Sequence, residues 1–192
     1  QQHVVTIRQG TDEVVNVGWD PLVAGQTSGY DLTLSEVSIT EERKKVFDFT
    51  TPYFNSDMGV IARTDAPVDE KSIKTVKVGI QQGTTGAAFA QEKLGVKEPQ
   101  IFDDQGSKFA ALRAGQVDAA ITDTSITLAE EKASEGKSIV VGQYKTGETY
   151  GGIMQKGNAN NETVSKIIQS MLDDGTIAKL GAKYLAAGWG KD

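Results

Sequence analysis

Short apolar runs rich in β-branched residues alternate with stretches of helical period along this chain, and that alternation restricts its fold more than any other feature. Residues 76–80 read as a strand, 86–94 as a helix, 100–102 as extended, 107–113 as a helix and 117–121 as a strand ending at Thr122 and Asp123. Parallel strands need a crossover long enough to hold a helix, and a strand apolar on both faces needs helices to cover it. The order therefore predicts an α/β protein with mainly parallel sheets, right-handed crossovers and helices on both faces. Upstream, residues 3–8 read as a first strand, 19–25 as a short helix with Asp20 as cap and Pro21 at its first position, 30–35 as a buried strand and 58–62 as another apolar run. Downstream, 138–141 and 152–154 are strand candidates. Residues 161–172 set Val164, Ile167, Ile168, Met171 and Leu172 on one helical face before Gly175 stops it.

Residues 21–35 parallel residues 111–122: both run through a helix, a glycine stop, an aspartate, a buried strand and a hydroxyl. Such αβ units recur in unrelated sheets, but the echo favours two lobes of similar construction, with these strand ends facing one cleft.

At the end of the 30–35 run stand Ser35, Glu36 and Ser38, and then Thr40 followed by Glu41 and Glu42, the pattern of an N-cap opening a short helix. The carboxyl ends of strands in open α/β sheets are where ligands bind. Arg43 falls on the first turn of that helix, where a planar guanidinium can take a carboxylate through two parallel hydrogen bonds. The competing reading makes Arg43, Lys44 and Lys45 a solvated helix face that balances the two glutamates. The spacing alone leaves both open.

Gln81-Gln82-Gly83-Thr84-Thr85-Gly86 follows the 76–80 strand and opens a helix, so its first amides and the hydroxyls of Thr84 and Thr85 suit a carboxylate or small phosphate. A plain strand-to-helix turn capped by threonine fits the same residues. The spacing matches neither a P-loop nor a dinucleotide fingerprint. Asp123, at its strand end, either caps a turn or waits for a cation, because a buried carboxylate is costly when unpaired. Taken together, Arg43, Thr85 and Asp123 describe a receptor for a zwitterion.

Composition narrows the classes. A chain of 192 residues is long enough for one domain or two small lobes, and no window is apolar enough to span a bilayer. A net charge of -6, with the only basic cluster at residues 43–45, disfavours nucleic acid. With no cysteine and one histidine, His3, near the terminus, neither a thiolate metal site nor a Ser-His-Asp set can be assembled, and no metal or cofactor is expected. The first residue is Gln1, which fits a processed or trimmed polypeptide without its signal segment.

Several stretches resemble the polar amino-acid family of extracytoplasmic solute-binding proteins, the receptors of ABC importers (family 3, type II periplasmic-binding-protein fold). They are Trp19-Asp20-Pro21-Leu22, Tyr30-Asp31-Leu32, residues 37–54 with Ser38-Ile39-Thr40-Glu41-Glu42-Arg43 at their centre, Val78 to Thr85, Ala119-Ala120-Ile121-Thr122-Asp123, and residues 173–180. The resemblance covers nearly the whole chain. It implies a non-catalytic receptor that binds a polar amino acid in an interlobe cleft, closes by a hinge, and delivers it to a membrane-embedded ABC permease. The setting would be periplasmic, or lipid-anchored at the cell surface. It implies lobe one at residues 1–62 and 152–192 and lobe two at 63–151, with crossovers near 62–65 and 151–154. Arg43 would clamp the α-carboxylate with Ser38, Ser35, Thr84 and Thr85 assisting, Asp123 and the main chain near Glu36 would hold the α-ammonium, and Trp19 would face the ligand side chain or sit in the core.

The sequence departs from the family pattern in several places. Glu36 stands where Gly or Ser is common, which puts a carboxylate at the pocket edge and favours a cationic or amide ligand side chain. Gly86 lacks a side chain that some relatives place near the ligand. An N-terminal strand, aromatic-bearing loop and helix are missing before residue 3, so the piece is trimmed, supplied by another copy in a swapped dimer, or dispensed with. Two other functions share the fold: a cyclohexadienyl-dehydratase-like lyase, for which Glu36, Asp123 and Glu148 are available carboxylates, and a ligand-sensing domain of a larger receptor.

Overall fold

The computed structural model describes residues 3–8 and 11–184, with side chains from residue 17 onward. In chain order, β1 (His3–Arg8) and β2 (Thr11–Asn16) lead to the short helices α1 (Trp19–Val23) and α2 (Glu41–Lys44), then to β3 (Phe47–Phe49) and β4 (Phe54–Arg63). Next come β5 (Val78–Gln81), α3 (Thr85–Glu92), β6 (Gln100–Phe102), α4 (Gln105–Arg113), β7 (Ala119–Asp123) and α5 (Thr124–Ala133). Strands β8 (Ser138–Tyr150) and β9 (Ile153–Gln155) precede α6 (Asn161–Asp173) and α7 (Thr176–Tyr184). The chain divides into two compact units, one built on Gln1–Ser56 with Gly147–Tyr184 and the other on Asp57–Thr146. The divisions fall inside the long strands β4 and β8, a few residues before the crossovers placed from sequence.

The second unit is a five-stranded sheet in the order β6-β5-β7-β4-β8. Strand β5 runs parallel to β6 and β7, while β4 enters antiparallel to β7 with Met58 opposite Asp123. The sheet is thus mixed. Alternate residues of a strand point to opposite faces. One face carries Val60, Ala62, Val78, Ile80, Ala119 and Ile121 against Ala90 of α3 and Leu94 just beyond it. The other carries Ile61 and Ala120 against Phe109, Ala111 and Leu112 of α4, so helices do cover both faces. Ile61, Val78, Leu112 and Ile121 are completely buried, each contributing about 1.5–3 kcal/mol relative to exposure. Because β5 and β7 are parallel, Gln81 and Asp123 end at the same sheet edge, where α3 and α5 begin. Helix α5, with its Thr- and Ser-rich start, was not evident in the sequence. Helix α4 begins earlier than its apolar period suggests, at Gln105, because Asp104 caps it by accepting from the Ser107 amide at 2.9 Å.

The first unit has smaller sheets. Strands β1 and β2 form an antiparallel hairpin with Val4 opposite Val15 and Val5 opposite Val14; no element was expected over 11–16. Strand β3 pairs antiparallel with β9. Residues 30–35, expected as a strand, form only an isolated bridge, Thr33 exchanging bonds of 2.9 and 3.0 Å with Ile153. The run still buries Tyr30, Leu32, Thr33 and Ser35. It ends where Glu36 turns to a left-handed φ of 52°, a conformation that costs a residue with a Cβ about 1–2 kcal/mol. Helix α1 starts at Trp19, capped by Gly18, so Pro21 is its third residue and Asp20 does not cap it. Gly25 then ends the turn at φ 71°. Trp19, Leu22, Tyr30, Val37, Phe47 and Ile153 make the core of this unit. On α6 only Ile168 of the expected apolar face is buried against the described residues, and Ile167 stays 55% exposed.

Candidate functional site

In the first unit, the run Arg43-Lys44-Lys45 splits into two environments. Lys44 and Lys45 pair with Glu41 and Glu42 at 2.7 and 2.6 Å on the exposed side of α2, which is the solvated charge face one reading expected. Arg43 turns the other way. Its Nη1 donates to the Ser38 carbonyl at 2.9 Å, and its guanidinium carbon lies 5.3 Å from the centroid of the Trp19 ring. A guanidinium braced over an indole keeps its planar fork aligned, and loses less freedom when it takes a carboxylate. Trp19 is 7% exposed and belongs to the core, so the structure places it as the brace for Arg43. Its Nε1 is buried without an acceptor among the described residues.

Local geometry explains why Arg43 points inward. Thr40 adopts extended backbone as N-cap, and its Oγ1 accepts from the Arg43 amide at 3.1 Å, which sets the phase of this one-turn helix. Ser38, 2% exposed, is held by a bridge to Tyr150, and Ser35, 8% exposed, closes the extended run. Glu36 faces Tyr53, whose phenol is pushed above its ordinary range by burial first and then by the Glu36 carboxylate. The left-handed φ of Glu36 is a backbone conformation that glycine adopts without steric cost. Removing the cap hydroxyl with Thr40→Ala should lower stability by about 0.5–2 kcal/mol, with Thr40→Ser restoring most of it. Urea unfolding of both variants checks this, and an unchanged midpoint in Thr40→Ala would show that the cap contributes nothing.

The second unit gathers Thr84, Thr85, Gly86 and Asp123 at the shared end of β5 and β7. Thr84 is the N-cap of α3: its hydroxyl accepts from the Ala87 amide at 3.1 Å and donates to the Gln81 carbonyl at 2.8 Å. Its side chain is therefore engaged in the turn, as the plain-turn reading required. Thr85 is the first helical residue and half-buried. Gly86 is a packing glycine, since a Cβ there would stand 3.2 Å from the Thr122 Cα and 3.4 Å from the Ile121 carbonyl oxygen. Asp123 occupies the N-cap position of α5 without making a side-chain cap bond, so the capping role is not realised.

Two residues at this edge escaped the sequence reading. Gln105 donates through Nε2 to Thr122 Oγ1 at 2.9 Å, while its Oε1 is buried with no donor among the described residues. Lys108 is completely buried and donates from Nζ to the Ile121 carbonyl at 3.1 Å. Burial lowers its pKa from 10.5 to about 7, with Asp123 acting in the opposite sense. The signal for Lys108 was available in its spacing: it lies four residues before Leu112 and beside Phe109, on the apolar face of α4. Gln105 carried no sequence signal beyond following the α4 cap. Among the described residues no group of His, Cys, Asp and Glu could hold a metal ion.

With both clusters placed, the sequence can be compared with known proteins. It matches the bacterial extracellular solute-binding proteins, family 3, over residues 8–187. The chain belongs to that family. Among curated proteins, it is similar to an L-cystine-binding protein of Escherichia coli K12, 29% identical over 177 residues, covering 88% of this chain and 65% of that one. It is also similar to the histidine-binding periplasmic protein of the same strain, 31% identical over 172 residues, covering 80% of this chain and 64% of the relative. The chain thus spans about 65% of the length of the curated relatives it matches. A solved structure, that of the arginine-, lysine-, histidine-binding protein of Geobacillus stearothermophilus, superposes with a TM-score of 0.79 at 30% identity over 90% of this chain and 78% of that one.

Proposed function

We propose that this chain is a non-catalytic receptor that binds a polar α-amino acid outside the cytoplasmic membrane and delivers it to a membrane-embedded ABC permease. The observation that carries the reading is Arg43. A charged run with two cations neutralised at the surface and the third turned inward, half-buried between the Ser38 carbonyl and the Trp19 ring, suits capture of a carboxylate. In this reading Arg43 takes the α-carboxylate, with Ser35, Ser38 and Thr85 nearby in their own units as further donors, and Asp123 takes the α-ammonium. Thr84 contributes through the amides it positions, Gly86 by letting α3 approach β7, and Trp19 by holding Arg43. The proteins it resembles are named for L-cystine, histidine, and arginine with lysine and histidine, all of them zwitterions with polar side chains. Glu36 adds a negative charge beside this region, so cationic and amide side chains should outrank acidic ones.

The deciding experiment is calorimetric titration of the protein with each of the twenty amino acids. Saturable heat with a cationic or amide amino acid, and none with glutamate or aspartate, is the expected result. Silence across the panel from folded protein would overturn the reading.

A further inference from the structure

A lysine that is completely buried, with a backbone carbonyl as its hydrogen-bond partner, is an unusual thing to place beneath a ligand site. Burying an ammonium is unfavourable unless a compensating charge is near. The charged groups around Lys108 can be counted element by element. Strands β5 and β6 contribute none, and Gly79 of β5 makes room for the lysine stem, since a Cβ there would stand only 3.3 Å from the Cγ of Lys108. Ahead of α4, the Asp104 carboxylate is engaged by the amide and hydroxyl of Ser107, and Asp103 follows β6 with its carbonyl taken by Gln81. At the far end of α4, Arg113 pairs with Glu130, and Asp118 before β7 accepts from the Lys77 amide. The charge that acts on Lys108 is that of Asp123, two residues beyond its carbonyl partner on the same strand. Gln105, whose Oε1 lacks a donor among the described residues, leans on Thr122 between them.

We propose that Lys108 is a positioning residue for ammonium capture, a second cation behind Asp123 whose charge competes with the ligand's for that carboxylate. The inference rests on the amino-acid reading and deepens it. When Lys108 is protonated, Asp123 is partly satisfied from within and holds the ligand ammonium less tightly. When Lys108 is neutral, that competing charge is gone and the Asp123 carboxylate holds the ligand ammonium more tightly. By reciprocity, binding a ligand ammonium at Asp123 must expel the Lys108 proton to solvent by the same factor that the proton weakens binding. Burial lowers the Lys108 pKa to about 7, which places this coupling near neutrality.

The test is calorimetry of L-arginine and L-glutamine from pH 5.5 to 8.5, in buffers of differing ionisation enthalpy, on the wild type and on Lys108→Met. The wild type should bind about threefold to tenfold more tightly at the alkaline end and release a fraction of a proton near pH 7. Lys108→Met should bind with little pH dependence and no release. In the wild type alone, the Lys108 Nζ resonance should titrate near neutrality and move to lower pH on saturation with ligand, a readout that needs no variant. Equal slopes and equal proton release in the two proteins, or a lysine resonance indifferent to ligand, would overturn this proposal while leaving the amino-acid reading intact. No heat from any amino acid in either protein would overturn both.

Discussion

Replacing Arg43 with alanine is expected to weaken amino-acid binding by at least about a hundredfold, on the order of 3 kcal/mol, because it leaves a desolvated ligand carboxylate without its charged partner. The fold should barely change. Arg43 is half-buried, its amide keeps the bond to Thr40 Oγ1, and alanine is a good helix former, so the midpoint of urea unfolding should stay close to that of the wild type. Arg43→Lys should recover only part of the affinity, since an ammonium keeps the charge but loses the fork and the stack on Trp19. Titration of both variants with the amino acid that the wild type binds most tightly checks this. Micromolar affinity retained by Arg43→Ala would refute the carboxylate assignment.

The same segment shows how far the sequence could be read. Thr40 as cap and the helix it opens were legible because capping is local, a matter of a hydroxyl three residues from an amide. The division of labour among Arg43, Lys44 and Lys45 was not. A one-turn helix has too few residues for its apolar phase to show, and the phase here is set by the Ser38 carbonyl and Trp19. Residues 30–35 read as a buried strand from sequence and prove to be an extended run with a single bridge, because their pairing depends on Ile153, a partner far away in sequence, and the run ends at the left-handed turn of Glu36. Thr84 and Gly86 were legible as a strand-to-helix turn. Which of their roles is realised required knowing that β7 lies behind α3, since only then does Gly86 become a packing necessity.

The parallel part of the sheet was legible for the same reason: β5, β6 and β7 alternate with α3 and α4 at short range. Strand β4 is apolar enough to sit in the middle of that sheet, yet nothing in its composition specifies direction. Its antiparallel entry is seen only in its pairing with β7. Helix α5 was hidden because Thr124, Ser125 and Thr127 are weak helix formers, and the helix is held by packing Ser125 and Thr127 inward against the sheet.

Lys108 also carries the second large effect. A lysine whose folded pKa is near 7 and whose unfolded value is 10.5 binds fewer protons in the native state between those limits, so native stability should rise with pH across that window. Below about pH 7 the buried charge carries its whole penalty, on the order of 4–5 kcal/mol. Lys108→Met keeps the length of the stem and removes the charge, at the loss of one hydrogen bond to the Ile121 carbonyl, a loss of about 1 kcal/mol. The variant should therefore be more stable than the wild type by about 2–4 kcal/mol at pH 6, with the advantage shrinking as pH approaches 9. The comparison should stop there, because the Tyr30, Tyr53 and Tyr144 phenols are raised and lose stability at higher pH in both proteins. Urea unfolding of the two proteins at pH 6, 7, 8 and 9 reads the difference directly. A constant gap at all four values would mean that Lys108 does not titrate in this range, and a less stable variant at pH 6 would mean that the ammonium is a structural asset. If the gap narrows as expected, the protein keeps a buried cation behind Asp123 at a steady expense in stability, which fits the role proposed for Lys108 in ligand binding.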